Sequence, residues 1–268
     1  MIGLDLDGTL LNEEKLLSEK TKSTLLKAMN QGVIVVIATG RPLIGVPDFL
    51  RKLPGIRYVL TANGARIIDQ VEEKVLIEKL LKQSDAQKVL EIFAECDTLM
   101  EVFHEGKGYR SVVNDLPRFF ENPHIVEYME RTRSPSEDMI GIVNEFPEGL
   151  DKVRATFARL DEREAVAQRI EKETDLTITS AVRNDLEITA ENVNKGVGML
   201  ALGEMLGISR QEIMACGDGM NDYEMIKQVG FGVAMGNAVE PVKQVANYIT
   251  ETNDDEGVAK AIEAFVLD

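Results

Sequence analysis

The chain has 268 residues, of which 44% are hydrophobic and 28% are charged, so it can form one large domain or two smaller ones. Its net charge of −16 at pH 7 repels phosphate backbones and anionic lipid surfaces, which argues against nucleic acid and membranes as partners. No apolar run reaches the roughly 18 residues of a membrane-spanning helix. The first residues lack the pattern of a secretory signal, and Cys96 and Cys216 are the only cysteines, so we expect a cytoplasmic protein with reduced thiols.

The N-terminal third alternates short apolar runs with a helical segment. "GLDLDG" opens the chain as a strand, and residues 18–32 carry a capping serine, apolar residues at helical spacing and a terminal glycine. "VIVVIATG" (33–40) and "YVLTANG" (58–64) are apolar runs that end in glycine, as strands buried on both faces do. This order of elements predicts a parallel sheet with right-handed crossovers.

The middle of the chain has denser charge and alternating strand patterns, which are typical of a sheet with one open face. "TLMEVFHEGKGYRSVV" (98–113) predicts a hairpin that turns through residues 105–108. We expect further strands in "DMIGIVNEF" (138–146) and "DLTITSAV" (175–182), and helices in "SDAQKVLEIFAEC" (84–96) and "EGLDKVRATFARL" (148–160). Residues 81–187 are therefore predicted to form an α+β insert.

After the insert, the alternation of strand and helix returns. Strands are predicted in "EIMACGDG", "GFGVAMG" and "ANYIT", and helices in "VGMLALGEML", "NDYEMIKQV", "AVEPVKQV" and "EGVAKAIEAFV". The sequence thus predicts an α/β fold with a Rossmann-like parallel-sheet core, formed by residues 1–80 and 188–268, and an inserted α+β domain at 81–187.

Several polar residues fall where the predicted strands end. Asp5 and Asp7 end the first strand, Thr39 ends the second, and Asp218 ends "EIMAC". Because ligands of an open parallel sheet bind outside the carboxyl ends of the strands, we expect these side chains at one edge. Lys195 precedes a helix whose N-terminal amides also favour an anion. Each residue alone has an ordinary explanation as a turn, a cap or a solvated lysine, so their combination carries the prediction.

The combination suits phosphoryl transfer. Clustered carboxylates repel one another unless a cation joins them, and their hard oxygens suit Mg²⁺, which often shares its shell with a substrate phosphate. Lys195 and Thr39 can hold phosphate oxygens. Asp5 can attack phosphorus to give an aspartyl-phosphate that water hydrolyses, and Asp7 can protonate the leaving oxygen and later deprotonate the water.

Four motifs give this pattern a family resemblance. "DLDGT" (5–9), "TGR" (39–41), "NKG" (194–196) and "GDGMND" (217–222) stand in the order found in haloacid dehalogenase-type phosphatases, which the chain resembles. The insert between the second and third motifs is similar in placement to the α/β cap of the Cof-type subgroup. Within that subgroup, "GRPLIGVPDFL" and "NKGVGMLALGEMLGI" look closest to the sugar-phosphate phosphatases. The resemblance implies Mg²⁺-dependent hydrolysis of small phosphorylated metabolites, with sugar phosphates as the favoured substrate class.

The same resemblance implies a role for each matching residue. It implies that Asp5 is the nucleophile and a Mg²⁺ ligand, that Asp7 is the general acid/base whose backbone carbonyl also binds the metal, and that Asp218 completes the ligands from the protein. The phosphoryl group is implied to lie against Thr39, Lys195, Asn221 and the backbone amides near Leu6 and Gly40. Asp222 is implied to orient the site from behind.

Two other functions remain open at this point. A phosphotransferase or phosphomutase would pass the phosphoryl group of the same aspartyl-phosphate to a hydroxyl group. A non-hydrolytic phospho-acceptor or binding module would also cluster acids around Mg²⁺, but receiver domains lack a second acid at the position of Asp7 and lack a large insert. The sequence indicates neither the physiological substrate nor the oligomeric state.

Overall fold

The computed structural model describes residues 1–120 and 123–267, the side chains of residues 123 and 124 excepted. The chain divides into two compact units. The first consists of Met1–Gly40, Pro47–Ile77 and Asn194–Asp268, and the second of Arg41–Val46 and Glu78–Val193. Within the described residues, no helix combines the length and the apolar composition that crossing a bilayer requires.

The regular elements alternate along the described chain. The strands are β1 (Ile2–Leu4), β2 (Val35–Ala38), β3 (Tyr58–Thr61), β4 (Arg66–Asp69), β5 (Lys74–Glu78), β6 (Thr98–His104), β7 (Lys107–Ser111), β8 (Arg133–Ser136), β9 (Lys152–Phe157), β10 (Thr177–Thr179), β11 (Asp185–Thr189), β12 (Met214–Gly217), β13 (Phe231–Ala234) and β14 (Tyr248–Ile249). The helices are α1 (Glu19–Asn30), α2 (Asp48–Arg51), α3 (Gln83–Ala94), α4 (Pro123–Thr132), α5 (Met139–Asn144), α6 (Leu160–Glu173), α7 (Lys195–Met205), α8 (Tyr223–Gln228), α9 (Glu240–Val245) and α10 (Gly257–Phe265).

The first unit is built on a sheet in the order β14-β13-β12-β1-β2-β3-β4-β5. The pairs from β14 through β3 are parallel, and β3 pairs with β4 in the antiparallel sense. Strands β1, β2, β3 and β12 are buried along their whole length, which agrees with their unbroken apolar runs. The sheet confirms the predicted α/β fold class with a Rossmann-like core, while the antiparallel β4 had no sequence signal that we recognised.

Local sequence explains the helix that follows β1. The Ser18 hydroxyl accepts a hydrogen bond from the Thr21 amide at 3.0 Å and so caps α1, as predicted. The same hydroxyl donates to Glu256 at 2.6 Å, which ties the start of α1 to the start of α10. Helices α1 and α10 are therefore joined by a polar contact as well as by their packing.

Neither cysteine forms a disulfide. Cys96 is half-buried, and Cys216 is buried in β12. Burial, together with the nearby Asp222 carboxylate, raises the pKa of the Cys216 thiol to about 12. The thiol is therefore protonated and unreactive at neutral pH.

The second unit contains a sheet in the order β10-β11-β9-β6-β7-β8. One face packs on a cluster of apolar residues that includes Phe93, Val153 and Phe157. The other face carries a smaller apolar cluster around Leu99, Phe119 and Met129 and a set of buried charges. Among these charges, Glu101 accepts from Arg133 at 2.9 Å and from Arg154 at 3.0 Å, Arg154 also binds Asp185 at 2.9 Å, and Lys152 pairs with Glu187.

The α+β character of the predicted insert is confirmed, but two of its elements were assigned wrongly. Residues 139–144 are a helix instead of a strand, because Asp138 caps them by accepting from the Gly141 amide at 2.7 Å and because Met139 and Val143 bury one helical face. Residues 152–157 are a strand instead of a helix, since β9 pairs with both β6 and β11 and alternates Val153, Ala155 and Phe157 toward the apolar cluster. The helical spacing seen in this segment was overridden by its central place in the sheet.

Two other predictions for the middle region fare better. The hairpin turn lies at Glu105 and Gly106, which both have positive φ, so it is tighter than the predicted turn through residues 105–108. The segment 175–182 contains the short strand β10, as predicted. The division into core residues 1–80 and 188–268 and an insert at 81–187 stays a prediction.

Candidate active site

The site lies at the carboxyl ends of three neighbouring strands of the first unit. In the parallel register, Leu4 of β1 pairs with Ile37 of β2 and with Cys216 of β12. Asp5 follows Leu4, and its backbone amide donates to the Cys216 carbonyl at 3.2 Å. Thr39 lies two residues after Ile37, and Asp218 lies two residues after Cys216. The topology therefore brings the predicted strand-end residues to one edge of the sheet.

Lys195 is the centre of the site. It is the first residue of α7 and is completely buried, with its Nζ atom 2.6 Å from Oδ1 of Asp5 and 2.7 Å from Oδ1 of Asp222. Gly64, at a φ of +103°, makes room for this helix start, because a Cβ atom there would come within 2.6 Å of the Asn194 carbonyl oxygen. Residues far apart in sequence thus meet around one ammonium group.

The electrostatics of this group are set by burial and by charge pairing. Burial alone would lower the pKa of Lys195, but the Asp222 and Asp5 carboxylates raise it above its ordinary value, so the amine stays protonated. Burial raises the pKa of Asp5 well above its usual range; Lys195 acts against this shift, and three neighbouring acids add to it. An added cation would therefore relieve repulsion among the acids.

Asp222 organises the surrounding loop. Its Oδ2 atom accepts from the backbone amides of Asp218 and Gly219, each at 3.0 Å, while Oδ1 binds Lys195. The side chain is completely buried. These contacts fix the backbone at Asp218 and Gly219. The supporting role predicted for Asp222 stays a prediction.

Asp218 faces Asp5 from the next strand. The Thr9 hydroxyl donates to its Oδ1 atom at 2.7 Å. Gly8, with a φ of +80°, permits this approach, because a Cβ atom there would lie 2.4 Å from Oδ2 of Asp218. Burial, followed by repulsion from Asp222, raises the pKa of Asp218 to about 7.

The acids have the spacing of a cation site. One carboxylate oxygen from each of Asp5, Asp218 and Asp222 lies within 4.8 Å of the others. The Asp222 oxygens are already engaged by two amides and by the Lys195 ammonium, whose charge opposes a cation beside it. Asp5 and Asp218 therefore fit Mg²⁺ best as carboxylate ligands, since both are hard oxygen donors. Burial is the main cause of their raised pKa values, and repulsion from the neighbouring acids adds to it.

The remaining predicted residues lie in the same unit. The carboxylate of Asp7 pairs with Lys15, whose Nζ atom lies 3.0 Å from Oδ1, and it is about half exposed. Asn221 is buried, and its amide donates to Oδ1 of Asn63 at 3.4 Å. Leu6 lies between the two acids of the first motif, and Gly40 follows Thr39. Their roles stay predictions.

Sequence reasoning missed Thr9 and Asn63. Thr9 ends the "DLDGT" motif, and its contact with Asp218 depends on a turn that the sequence alone did not show. Asn63 follows β3 in a left-handed conformation with a φ of 57° and is completely buried. Its backbone N–H donates to the Thr39 carbonyl at 3.1 Å. Its signal was available, because Asn63 is a polar residue at a strand end just as Thr39 is.

Carboxylates and a buried lysine at the strand ends of a parallel sheet form a site suited to a cation and an anionic ligand. Comparison with known proteins names the family: residues 2–262 match the model of the haloacid dehalogenase-like hydrolases, and the chain belongs to this family.

Three similar proteins support this assignment. A 5-amino-6-(5-phospho-D-ribitylamino)uracil phosphatase of Bacillus subtilis is 33% identical over all of this chain and 96% of its own length. A solved haloacid dehalogenase-like hydrolase from B. subtilis has a TM-score of 0.87 and 30% identity, with 98% of this chain and 99% of that chain covered. The subclass IIB sugar phosphatase BT4131 has a TM-score of 0.86 at 23% identity, covering 100% and 99%, and this likeness concerns the fold.

These matches confirm two of the sequence predictions. The resemblance to haloacid dehalogenase-type phosphatases holds over the whole chain, and the predicted class of enzyme, a phosphoric monoester hydrolase, is that of the relatives. The substrate, the metal and the role of each site residue are not fixed by a family match.

Proposed function

We propose that this phosphatase hydrolyses small phosphorylated metabolites, with sugar phosphates as the favoured substrate class. The reaction requires Mg²⁺ and passes through an aspartyl-phosphate on Asp5. The observation that carries the proposal is the buried Lys195 ammonium, 2.6 Å from Asp5 and held on its other side by Asp222. An ammonium at the strand ends, where ligands of a parallel sheet bind, can hold a phosphoryl oxygen while it orients Asp5, and the relatives of this chain are named phosphatases.

The first half of the reaction is proposed to form the covalent intermediate. A carboxylate oxygen of Asp5 attacks phosphorus and the bond from phosphorus to the ester oxygen breaks, while Asp7 gives its proton to the departing oxygen. Lys195, Thr39, Asn221 and the amides of Leu6 and Gly40 hold the other phosphoryl oxygens. Asp5, Asp218 and the Asp7 backbone carbonyl would hold Mg²⁺, which would neutralise part of the phosphoryl charge.

The second half regenerates the enzyme. Asp7, now a carboxylate, takes a proton from water as the water oxygen attacks phosphorus. The bond from phosphorus to Asp5 breaks, which releases inorganic phosphate and restores the Asp5 carboxylate. Asp222 keeps Lys195 and the Asp218 loop in place throughout.

The names of similar proteins support the proposed substrate class. The B. subtilis relative is named for a phosphate ester on a ribityl chain, and BT4131 is named as a sugar phosphatase. Both names describe a phosphate on a small polyhydroxylated carbon skeleton, which we propose for this chain as well. The absence of nucleic-acid and membrane partners and the cytoplasmic location stay predictions from the sequence.

Purified protein is expected to release phosphate from a panel of sugar and sugar-alcohol phosphates only when Mg²⁺ is present. A chelator should reduce the rate to background, and re-addition of Mg²⁺ should restore it. Phosphate release is followed colorimetrically, with a nucleic acid bearing a terminal phosphate and a phosphoprotein as macromolecular comparisons. Undiminished turnover in chelator, or turnover of the macromolecules alone, would contradict the proposal.

Mg²⁺ binding is expected to weaken as the pH falls below about 7. Because the pKa of Asp218 is raised to about 7, its carboxyl takes up a proton at lower pH, and a cation must then displace that proton. The apparent affinity should therefore fall by up to about tenfold per pH unit below this value. Calorimetric titrations of Mg²⁺ on either side of neutrality, in buffers of different ionisation enthalpy, measure both affinity and proton release; an affinity independent of pH would be the contrary result.

A further inference from the structure

The loop that follows Asp7 is closed by Asn12. The backbone N–H of Asn12 donates to the Leu16 carbonyl at 3.1 Å, and the backbone N–H of Lys15 donates to the backbone carbonyl of Asn12 at 2.9 Å. The side chain of Asn12 also takes part, because its Oδ1 atom accepts from the Leu16 backbone N–H at 2.8 Å. The result is a compact turn with Lys15 near its tip.

The same loop is fastened to the C-terminal part of the first unit. The Glu13 amide donates to Oδ1 of Asp254 at 3.0 Å, and the Asn253 side chain donates to the Leu11 carbonyl at 2.9 Å. The loop is thus held at two points by the adjacent residues Asn253 and Asp254, about 240 positions away in sequence. The backbone that carries Lys15 is therefore held in place by these hydrogen bonds.

Lys15 adopts a conformation that its residue type disfavours. Its φ is 61°, in the left-handed region, which is unfavourable for a residue with a Cβ atom. Its Nζ atom lies 3.0 Å from Oδ1 of Asp7, and both side chains are about half exposed. An exposed ion pair contributes little to stability, so the contact does not offset the backbone strain. The ion pair alone therefore does not explain this arrangement.

We infer that Lys15 is a positioning residue for Asp7. The inference rests on the proposed function, in which Asp7 acts as the base that takes a proton from the attacking water. Lys195 fixes Asp5, and Lys15 fixes the other acid of the same motif by holding one of its carboxylate oxygens. The ammonium sets the direction of the ionised carboxylate toward the water that hydrolyses the aspartyl-phosphate.

The step that Lys15 serves is the hydrolysis of the intermediate. Water oxygen forms a bond to phosphorus, the bond from phosphorus to Asp5 breaks, and the water proton moves to Asp7. Asp7 must be ionised in this step, which is the form that an ammonium partner orients. Formation of the intermediate from a good leaving group needs no proton from Asp7, so Lys15 should be dispensable there.

The experiment uses Lys15→Met and p-nitrophenyl phosphate with Mg²⁺. We expect kcat to fall about tenfold, with KM falling in parallel, because hydrolysis of the intermediate slows while its formation does not. Stopped-flow measurement should then show a burst of nitrophenolate approaching one equivalent per enzyme, and acid quenching should trap phosphorylated Asp5. Lys15→Arg should restore kcat and remove the burst.

Two further variants separate the ammonium from the backbone. Lys15→Gly relieves the left-handed strain but lacks the ammonium, so it should behave like Lys15→Met. Lys22→Met removes a comparable exposed lysine that pairs with Glu19 on α1 at 3.3 Å, and it should leave kcat and the burst unchanged.

The contrary outcomes are distinct. If Lys15→Met matches the wild type, or if it slows burst and turnover equally, the positioning role is wrong while the phosphatase stands. If Lys15→Gly matches the wild type, the ammonium is not what matters. If wild-type protein neither releases nitrophenolate nor forms a phosphoenzyme, the proposed function fails, and this inference fails with it.

Discussion

Asp5→Asn is expected to lower kcat by at least about 10³-fold while the protein keeps its fold. Asparagine has nearly the shape of aspartate, but its amide does not attack phosphorus. Lys195 would still bind Asp222 at 2.7 Å, so the buried ammonium keeps one carboxylate partner. Burial raises the pKa of Asp5, so a neutral amide there avoids a desolvation cost while it loses an ion pair. These effects oppose one another, and we expect the free energy of unfolding to change by less than about 2 kcal/mol.

Steady-state phosphate release and acid-quench trapping measure the catalytic loss, and denaturant unfolding measures stability. Asp48→Asn is the matched control, since Asp48 is an exposed acid of α2 that pairs with Lys52 at 2.8 Å. It should retain the wild-type kcat. Substantial Mg²⁺-dependent turnover by Asp5→Asn, or an acyl-phosphate still trapped in it, would show that another residue is the nucleophile.

The core of the site could be predicted because the sequence shows both the buried strands and the polar residues that end them. Strands buried on both faces are recognisable as unbroken apolar runs, and a polar residue that ends such a run stands out. The register of β1, β2 and β12 then places Asp5, Thr39 and Asp218 at one edge without any further information. Lys195 reaches the same place because α7 starts there.

The rest depended on contacts that no local pattern encodes. The strand β9 contains apolar residues that also suit one face of a helix, and only its pairing with β6 and β11 decides between the two. Residues 139–144 show the opposite error, because the cap at Asp138 was not recognised beside an apolar run. The left-handed conformation of Asn63 accompanies a tertiary hydrogen bond from its backbone N–H to the Thr39 carbonyl, which a sequence pattern does not specify.

Lys195→Met is expected to destabilise the protein by about 3–5 kcal/mol and to abolish turnover. The substitution removes the ammonium and leaves the Asp5 and Asp222 carboxylates buried against each other. The catalytic loss follows because no buried cation would then face the phosphoryl group. Lys152→Met offers a comparison for stability, since Lys152 is also fully buried and pairs with Glu187 in the second unit.

The pH dependence of this deficit tests its cause. The pKa of Asp5 is already raised by burial in the wild type, and loss of Lys195 removes the main influence that lowers it. A carboxyl with a raised pKa in the folded state destabilises the protein when it is ionised, and this cost is relieved as the pH falls through that pKa. The difference in free energy of unfolding between Lys195→Met and wild type should therefore shrink toward acid pH. A difference that stays constant would indicate lost packing.

A double variant separates charge from volume. Asp222→Asn in the Lys195→Met background removes one of the stranded carboxylates, and the asparagine side-chain oxygen can still accept from the Asp218 and Gly219 amides. Stability should recover by about 1–3 kcal/mol relative to Lys195→Met alone, as expected for partners that couple. Turnover should stay absent, since neither change replaces the ammonium beside Asp5. The contrary result is a double variant less stable than Lys195→Met by the whole loss of unfolding free energy that Asp222→Asn causes in the wild type. The two residues would then not act as a pair, and the buried ion group would not be what organises this end of the sheet.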